Sequence, residues 1–315
     1  MNKTFKTCLI ASFLCVMLAS CSGAAFFIGI SIGKSQIDDT ERTTTQQEGS
    51  TQIKETPVYY DQNASQRYLD ENSPSDVYQK LIQGAQNHFS FEFQVEDQLQ
   101  FANDKDFILA NLENQYSRLS VKFNTEVSKK IRIKLVDDLE VFQEDLNTML
   151  VGSGITTYSA FALGSDLIEI YVNPFYTTEK FELAHTLSHE LVHIFQYKVN
   201  DQISSYNASW AYANWFIEGM AESFAYPNEE AIIHGDAYQI IPDTSALNDL
   251  ITSNDSSEYM IGYDAVKLFF LYLSDTYGEN KMIEITKCTT NFDQCFNQII
   301  DTDPDVAYTK WIETL

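Results

Sequence analysis

The feature that most restricts this chain is a pair of histidines four residues apart in an apolar, helix-like stretch. His189 and His193 enclose Glu190 in the order His-Glu-Leu-Val-His, and apolar residues recur around them at helical spacing. Side chains four residues apart share one face of a helix, so both imidazoles can reach one metal ion. Glu190 is turned by about 100° and can lie beside a metal-bound water. The stretch predicts a metal-binding helix over about 178–199.

A zinc site of the catalytic type needs a third protein ligand and an open position for water. The metzincin pattern is excluded, because Gln196 and Val199 stand where it requires Gly and His. Residues 214–222 read Asn-Trp-Phe-Ile-Glu-Gly-Met-Ala-Glu and place Glu218 25 residues after the second histidine. We expect Glu218 to reach the same ion from a second helix, with one Zn²⁺ as the cofactor.

The hydrophobic periodicity predicts an α+β fold, with a small mixed β-sheet lobe followed by a mainly helical lobe. Strands are predicted at 89–95, 130–136, 156–163 and 167–172, with helices at 104–123 and 141–150 between them. The later helices are predicted at 178–199, 209–226, 262–276, 279–287 and 304–314.

These motifs resemble those of the gluzincin metallopeptidases of the peptidase MA-like clan, and especially the zinc aminopeptidases. The segment around Glu218 is similar to their Trp-Leu-x-Glu-Gly-x-Ala element, whose Glu is the third zinc ligand. The resemblance implies a zincin-like domain in which Glu222, one turn later, orients a zinc-binding histidine. It also implies that Tyr263, at the start of the helix predicted at 262–276, stabilises the oxyanion, with Tyr259 as the alternative.

The resemblance covers roughly residues 85–315 and fails at one point. Zinc aminopeptidases bind the substrate amino terminus through a Gly-x-Met-Glu-Asn strand, whereas residues 167–173 here read Leu-Ile-Glu-Ile-Tyr-Val-Asn. The choice between endopeptidase and exopeptidase therefore stays open, with Glu169 as a candidate amine anchor. The sheet edge expected around 167–172 is a candidate docking site for a peptide backbone.

Together these features predict a zinc-dependent peptidase acting on a peptide or protein substrate. Zinc held by His189, His193 and Glu218 would activate a water for attack on the peptide carbonyl. Glu190 would be the general base, and Tyr263 would stabilise the oxyanion. Two alternatives stay open: a catalytically inactive surface binding protein with the peptidase fold, and a zinc hydrolase of a non-peptide substrate. The intact Glu190 disfavours the first.

The amino-terminal segment, residues 1–33, predicts attachment to a membrane. Its basic start precedes an apolar run, and Leu-Ala-Ser-Cys ending at Cys21 resembles the bacterial lipobox, whose cysteine is lipidated. Residues 8–33 are also long enough to span a bilayer as an uncleaved signal anchor. Both interpretations place the remainder outside the cytoplasm: a disordered polar stalk over 34–75 and the peptidase domain over 76–315.

The charge balance excludes one class of partner and the cysteines predict a local crosslink. With 20 Lys+Arg against 45 Asp+Glu, the formal net charge is −25, which argues against nucleic-acid binding. Cys288 and Cys295 form a close pair, which usually oxidises outside the cytoplasm. Two free buried thiols are the alternative.

Overall fold

The computed structural model describes residues 75–95, 98–149, 160–172, 180–204, 210, 213–225, 241–253 and 255–315. The predicted anchor over residues 1–33, including Cys21, and almost all of the predicted stalk lie outside the described residues. Within the described ranges, no helix is both long and apolar enough to cross a membrane.

Strands and helices alternate in the first part of the described chain, and helices alone follow. The first part comprises α1 (Ser75–His88), β1 (Phe89–Gln94), α2 (Gln98–Phe123), β2 (Ile131–Val136), α3 (Leu139–Met149), β3 (Ala160–Leu163) and β4 (Leu167–Tyr171). The second comprises α4 (Lys180–Val199), α5 (Asp201–Ser204), α6 (Asn214–Ala225), α7 (Thr244–Ile251), α8 (Ser256–Tyr277), α9 (Glu279–Thr286), α10 (Phe292–Ile300) and α11 (Pro304–Ile312). The predicted α+β class is confirmed.

Four of these helices, α1, α5, α7 and α10, were not predicted from periodicity. Helix α5 has only four residues. Helices α7 and α10 have eight and nine residues, so each shows only about two turns of apolar repeat. Their starts are fixed by side-chain caps instead. Asp243 accepts the N–H of Ala246, and Asn291 accepts the N–H groups of Asp293 and Gln294.

Helix α8 begins at Ser256, and the predicted start at 262 is wrong. The carboxylate of Asp255 accepts the N–H of Glu258, and the Glu258 side chain accepts a hydrogen bond from Ser253. The first contact satisfies one of the free N–H groups of the first turn, and both contacts favour an early start of the helix. Tyr263 therefore lies inside α8 and not at its amino terminus.

The sheet has the strand order β1-β2-β4-β3, in which β1, β2 and β4 are parallel and β3 is antiparallel. A tight turn joins β3 to β4, and Gly164 adopts a left-handed φ of 55° there. The interpretation of residues 167–172 as a sheet edge is wrong, because β4 pairs with β2 on one side and β3 on the other. In this order β3 is the end strand that packs against α4.

The two faces of the sheet are packed differently. One face contributes Ile133 and Ile168 to the large core that also contains the apolar residues of α4. The other face carries Lys134 and Glu169, which are paired in the β2–β4 register and covered by α3. Glu169 lies 3.3 Å from Lys134 Nζ, so this carboxylate already has a cationic partner, which speaks against its use as an amine anchor.

A glycine allows α6 and α8 to cross closely. A Cβ at Gly219 would lie 2.5 Å from the carbonyl oxygen of Val266 and 3.0 Å from the Cβ of Phe270. Only a residue without a side chain permits this backbone contact. Because Gly219 follows Glu218 directly, the crossing holds that carboxylate against α8.

The segment between α9 and α10 is crosslinked and attached to the carboxyl-terminal end of α4. Cys288 and Cys295 form the predicted disulfide, with Cα atoms 6.2 Å apart. Asn200, just after α4, donates from Nδ2 to the carbonyls of Thr286 and Cys288 at 3.0 and 2.8 Å. These contacts fix the carboxyl-terminal end of α4.

Candidate metal centre

Helix α4 crosses the interior, so its polar residues are held by packing. Residues 186–197 are all buried, and α4 packs against α2, α6 and the β3–β4 hairpin. His189 and His193 are completely inaccessible to solvent. Their Nε2 atoms point at each other across 3.1 Å, as the four-residue spacing predicts.

Glu218 reaches these histidines from α6. Its Oε2 lies 3.2 Å from His189 Nε2 and 3.5 Å from His193 Nε2, and the three residues are buried together. Atoms that bind a tetrahedral zinc ion at 2.0–2.1 Å are about 3.3 Å apart. The three atoms therefore match one face of such a tetrahedron.

The charges of this group favour a cation. Burial disfavours a charged His189, yet its pKa is raised well above the usual value because Glu218 and Glu222 both contact it. Burial would likewise raise the pKa of Glu218, but His193 and His189 lower it to about 2. Two imidazole nitrogens and a carboxylate oxygen thus converge on one point. The donor set fits a divalent metal ion such as zinc.

Glu222 lies against the outer nitrogen of His189, where the resemblance places it. Its Oε1 is 2.8 Å from His189 Nδ1, and His185 Nε2 is 4.0 Å from its Oε2. A carboxylate at Nδ1 favours a proton on that nitrogen, so a metal ion at Nε2 would replace only the proton that faces Glu218. Contacts with His189 lower the pKa of Glu222 to about 2 although burial opposes this.

The corresponding partner of His193 is Gln196, a residue that motif reasoning did not select. Its Oε1 is 2.7 Å from His193 Nδ1, and its Nε2 donates to the carbonyl of Ile217 at 2.9 Å. The sequence feature that could have identified Gln196 is its position three residues after the second histidine, on the same helix face.

Glu190 is fully buried beside the histidines and faces β3. Burial raises the pKa of its carboxyl to about 7, although His193, His189 and the backbone of Ala162 favour the charged form. Neither carboxylate oxygen has a hydrogen-bond partner of good geometry among the described residues. A carboxyl near neutrality with free acceptor atoms can both take and return a proton.

Tyr263 of α8 contacts the same carboxylate as the histidines. Its hydroxyl donates to Glu218 Oε2 at 3.0 Å, and its ring centroid is 6.3 Å from that of His189. The rings of Tyr259 and Tyr263 are tilted by 32° with their centroids 4.6 Å apart, and Tyr259 packs into the cluster that contains Phe161 of β3. Burial, and then the Glu218 charge, raise the pKa of Tyr263 well above its usual value, so its hydroxyl is a proton donor at neutral pH.

The fold and this site define a protein that can hold a metal ion next to a buried carboxylate. Residues 76–299 match the BSP family, described as peptidases of plants and bacteria. This match covers more than half of the chain and includes every residue of the site, so the protein belongs to that peptidase family. Searches of curated proteins and of solved structures gave no significant match.

Proposed function

We propose that this peptidase is zinc-dependent and of the gluzincin type, with His189, His193 and Glu218 holding one Zn²⁺. The observation that carries the proposal is the triangle of ligand atoms, with sides of 3.1, 3.2 and 3.5 Å. These lengths fit zinc, and the ligands leave a fourth position for water. The buried carboxylate of Glu190 beside them, whose oxygens have no hydrogen-bond partner of good geometry among the described residues, supports a reaction and not only a structural metal.

Each residue of the site then has a task in peptide hydrolysis. A bound zinc ion supplies a Lewis acid that makes water acidic near neutral pH. Glu190 accepts a proton from the attacking water and returns it to the leaving amine. Tyr263 donates a hydrogen bond to the oxyanion once its hydroxyl turns from Glu218. Glu222 keeps His189 in the tautomer that presents Nε2.

The substrate we propose is an extended peptide lying along β3. Glu190 faces the backbone of Ala162 in this strand, so a peptide added there would place its carbonyl beside the base. β3 also ends the four-stranded order. This assignment replaces the docking edge expected at 167–172.

We further propose that the enzyme works outside the cytoplasm on the surface of a membrane. The support is the sequence of residues 1–33, with either lipidation at Cys21 or an uncleaved anchor. Labelling with a radioactive fatty acid, lost in Cys21→Ser, distinguishes a lipid from a spanning helix. Unlabelled wild-type protein that stays in the membrane would favour the helix.

The decisive experiment measures metal content and cleavage on the full-length protein. Wild type is compared with Glu218→Ala and with Glu284→Ala, an exposed glutamate on α9 that serves as control. We expect about one zinc per chain in wild type and in the control, and none in Glu218→Ala. Cleavage of a peptide library should follow the zinc content.

Two outcomes would contradict the proposal. Folded wild-type protein without metal after zinc addition would refute zinc dependence, and cleavage that survives in the zinc-free Glu218→Ala protein would refute the mechanism. The role of Tyr263 is tested separately by Tyr263→Phe. We expect kcat to fall about 10²-fold with zinc retained, as for a lost oxyanion donor.

A further inference from the structure

A buried glutamine connects the two helices that carry the proposed ligands. Gln196 is completely buried and lies one turn after His193 on α4, with its Oε1 2.7 Å from His193 Nδ1. Its Nε2 donates to the carbonyl of Ile217 at 2.9 Å, and that carbonyl belongs to the peptide group preceding Glu218. One side chain thus contacts one ligand and the backbone of another.

The direction of the amide follows from the carbonyl that it meets. A backbone carbonyl only accepts hydrogen bonds, so the end of Gln196 facing Ile217 is the NH₂ group. The other end is an oxygen, which also only accepts, so Nδ1 of His193 carries the proton. A neutral imidazole with hydrogen on Nδ1 has its lone pair on Nε2, the atom closest to the other two ligands.

We propose that Gln196 is a positioning residue that holds His193 in the Nδ1–H tautomer and fixes its distance from Glu218. The inference rests on the proposed metal site but concerns the tautomer of a ligand and not the reaction. It also means that the two histidines are oriented by different kinds of group. Glu222 orients His189 through a charged group, whereas Gln196 orients His193 through a neutral one and adds no further negative charge.

The chain provides a matched control in Gln115. This glutamine is also buried and donates from Nε2 to a carbonyl of α6, that of Phe224 at 3.0 Å, but its Oε1 accepts from Arg118 and not from a ligand. Gln115→Met and Gln196→Met therefore each remove one buried amide bonded to α6. Only Gln196→Met also removes the contact with a histidine.

The test reads the tautomer of His193 in metal-free, full-length protein labelled with ¹⁵N-histidine, by long-range ¹H–¹⁵N NMR above neutral pH. The chain has five histidines, so single variants suffice for assignment. Zinc affinity is measured in parallel by competition with a chelator. We expect the Nδ1–H form in wild type, its loss in Gln196→Met, and zinc affinity about 10–100-fold lower in that variant.

Gln115→Met should keep both the tautomer and the affinity of wild type. Gln196→Glu, which retains an acceptor facing Nδ1, should restore the tautomer and most of the affinity. The proposal is overturned if wild-type His193 carries its proton on Nε2, or if the two Met variants lose affinity equally. If Gln196→Met does not fold, the tautomer of His193 in the wild type and in Gln196→Glu still tests the proposal. Absence of zinc binding in wild type would count against the proposed function, while the metal-free tautomer would still decide the role of Gln196.

Discussion

Two groups of charged side chains, one partly buried and one fully enclosed, occupy different parts of this protein and are balanced in different ways. On the α3 side of the sheet, Lys134 contacts both Asp145 and Glu169. Around α4, the nitrogens of His189 and His193 converge with the Glu218 carboxylate. The first group contains its own cation, covalently attached to the chain. The second brings together acceptor atoms alone once both histidines carry their proton on Nδ1.

The difference between the two groups suggests the purpose of the proposed metal ion, which would balance the charge of the buried carboxylate in the helical group. A buried carboxylate is costly unless it is paired, and Lys134 supplies that pairing in the sheet. In the helical group the chain supplies Glu222 and Gln196 behind the histidines, where they orient the rings without filling the centre. Under the proposed function, a cation from solution would complete this group.

The largest expected effect compares two buried carboxyls with the same raised pKa. Burial raises the pKa of both Glu190 and Glu169 to about 7. Glu190→Gln should lower kcat about 10²–10⁴-fold with zinc retained, because it removes the general base. Glu169→Gln should leave kcat unchanged. Steady-state cleavage of a substrate peptide measures both, and equal losses would mean that the raised pKa alone does not identify the base.

The next effect is the response of stability to zinc. Metal that binds only the folded state at about 100 times its Kd stabilises that state by about 2.7 kcal/mol. We expect this gain in wild type and in Lys134→Met, and none in Glu218→Ala, in chemical unfolding with zinc or with a chelator. A zinc response that depends on Lys134 would show that the two groups are not independent.

Removing the positive charge of Lys134 should have a smaller effect, on the free energy of unfolding. Lys134→Met leaves Asp145 and Glu169 facing each other, and we expect a loss of about 1–3 kcal/mol of unfolding free energy, since Asp145 is partly solvated. Lys130→Met, at a solvent-exposed lysine, is the control and should cost less than about 0.5 kcal/mol. Equal losses would contradict a specific role for the Lys134 contacts.

The last expected effect is a pH dependence of the free energy of unfolding. Because burial raises the folded-state pKa of Glu169 from 4.5 to about 7, the folded state binds more protons than the unfolded state in this interval. Its contribution to stability is therefore present below pH 4.5 and is lost as the pH rises through 7. The stability of wild type relative to Glu169→Gln should decrease over that range. An increase would mean that the Lys134 contact outweighs burial.

Local patterns predicted the parts of this protein that depend on nearby residues. Helical spacing was enough to bring His189 and His193 together, and short motifs selected Glu218, whose atoms lie close to theirs. The sheet edge was misplaced because strand order depends on pairing between β2 and β4, far apart in sequence. Gln196 was not selected for a similar reason, because its proposed role depends on a hydrogen bond to a backbone carbonyl of another helix.

The contact at Gly219 has a consequence for how this site can change over evolutionary time. The backbones of α6 and α8 meet there, so the separation between Glu218 and Tyr263 is set by the crossing of two helices and not by adjustable rotamers. Under the proposed function, divergence in what the enzyme cuts would then arise at the short strand β3, while the residues of the two crossing helices are inherited as a single unit.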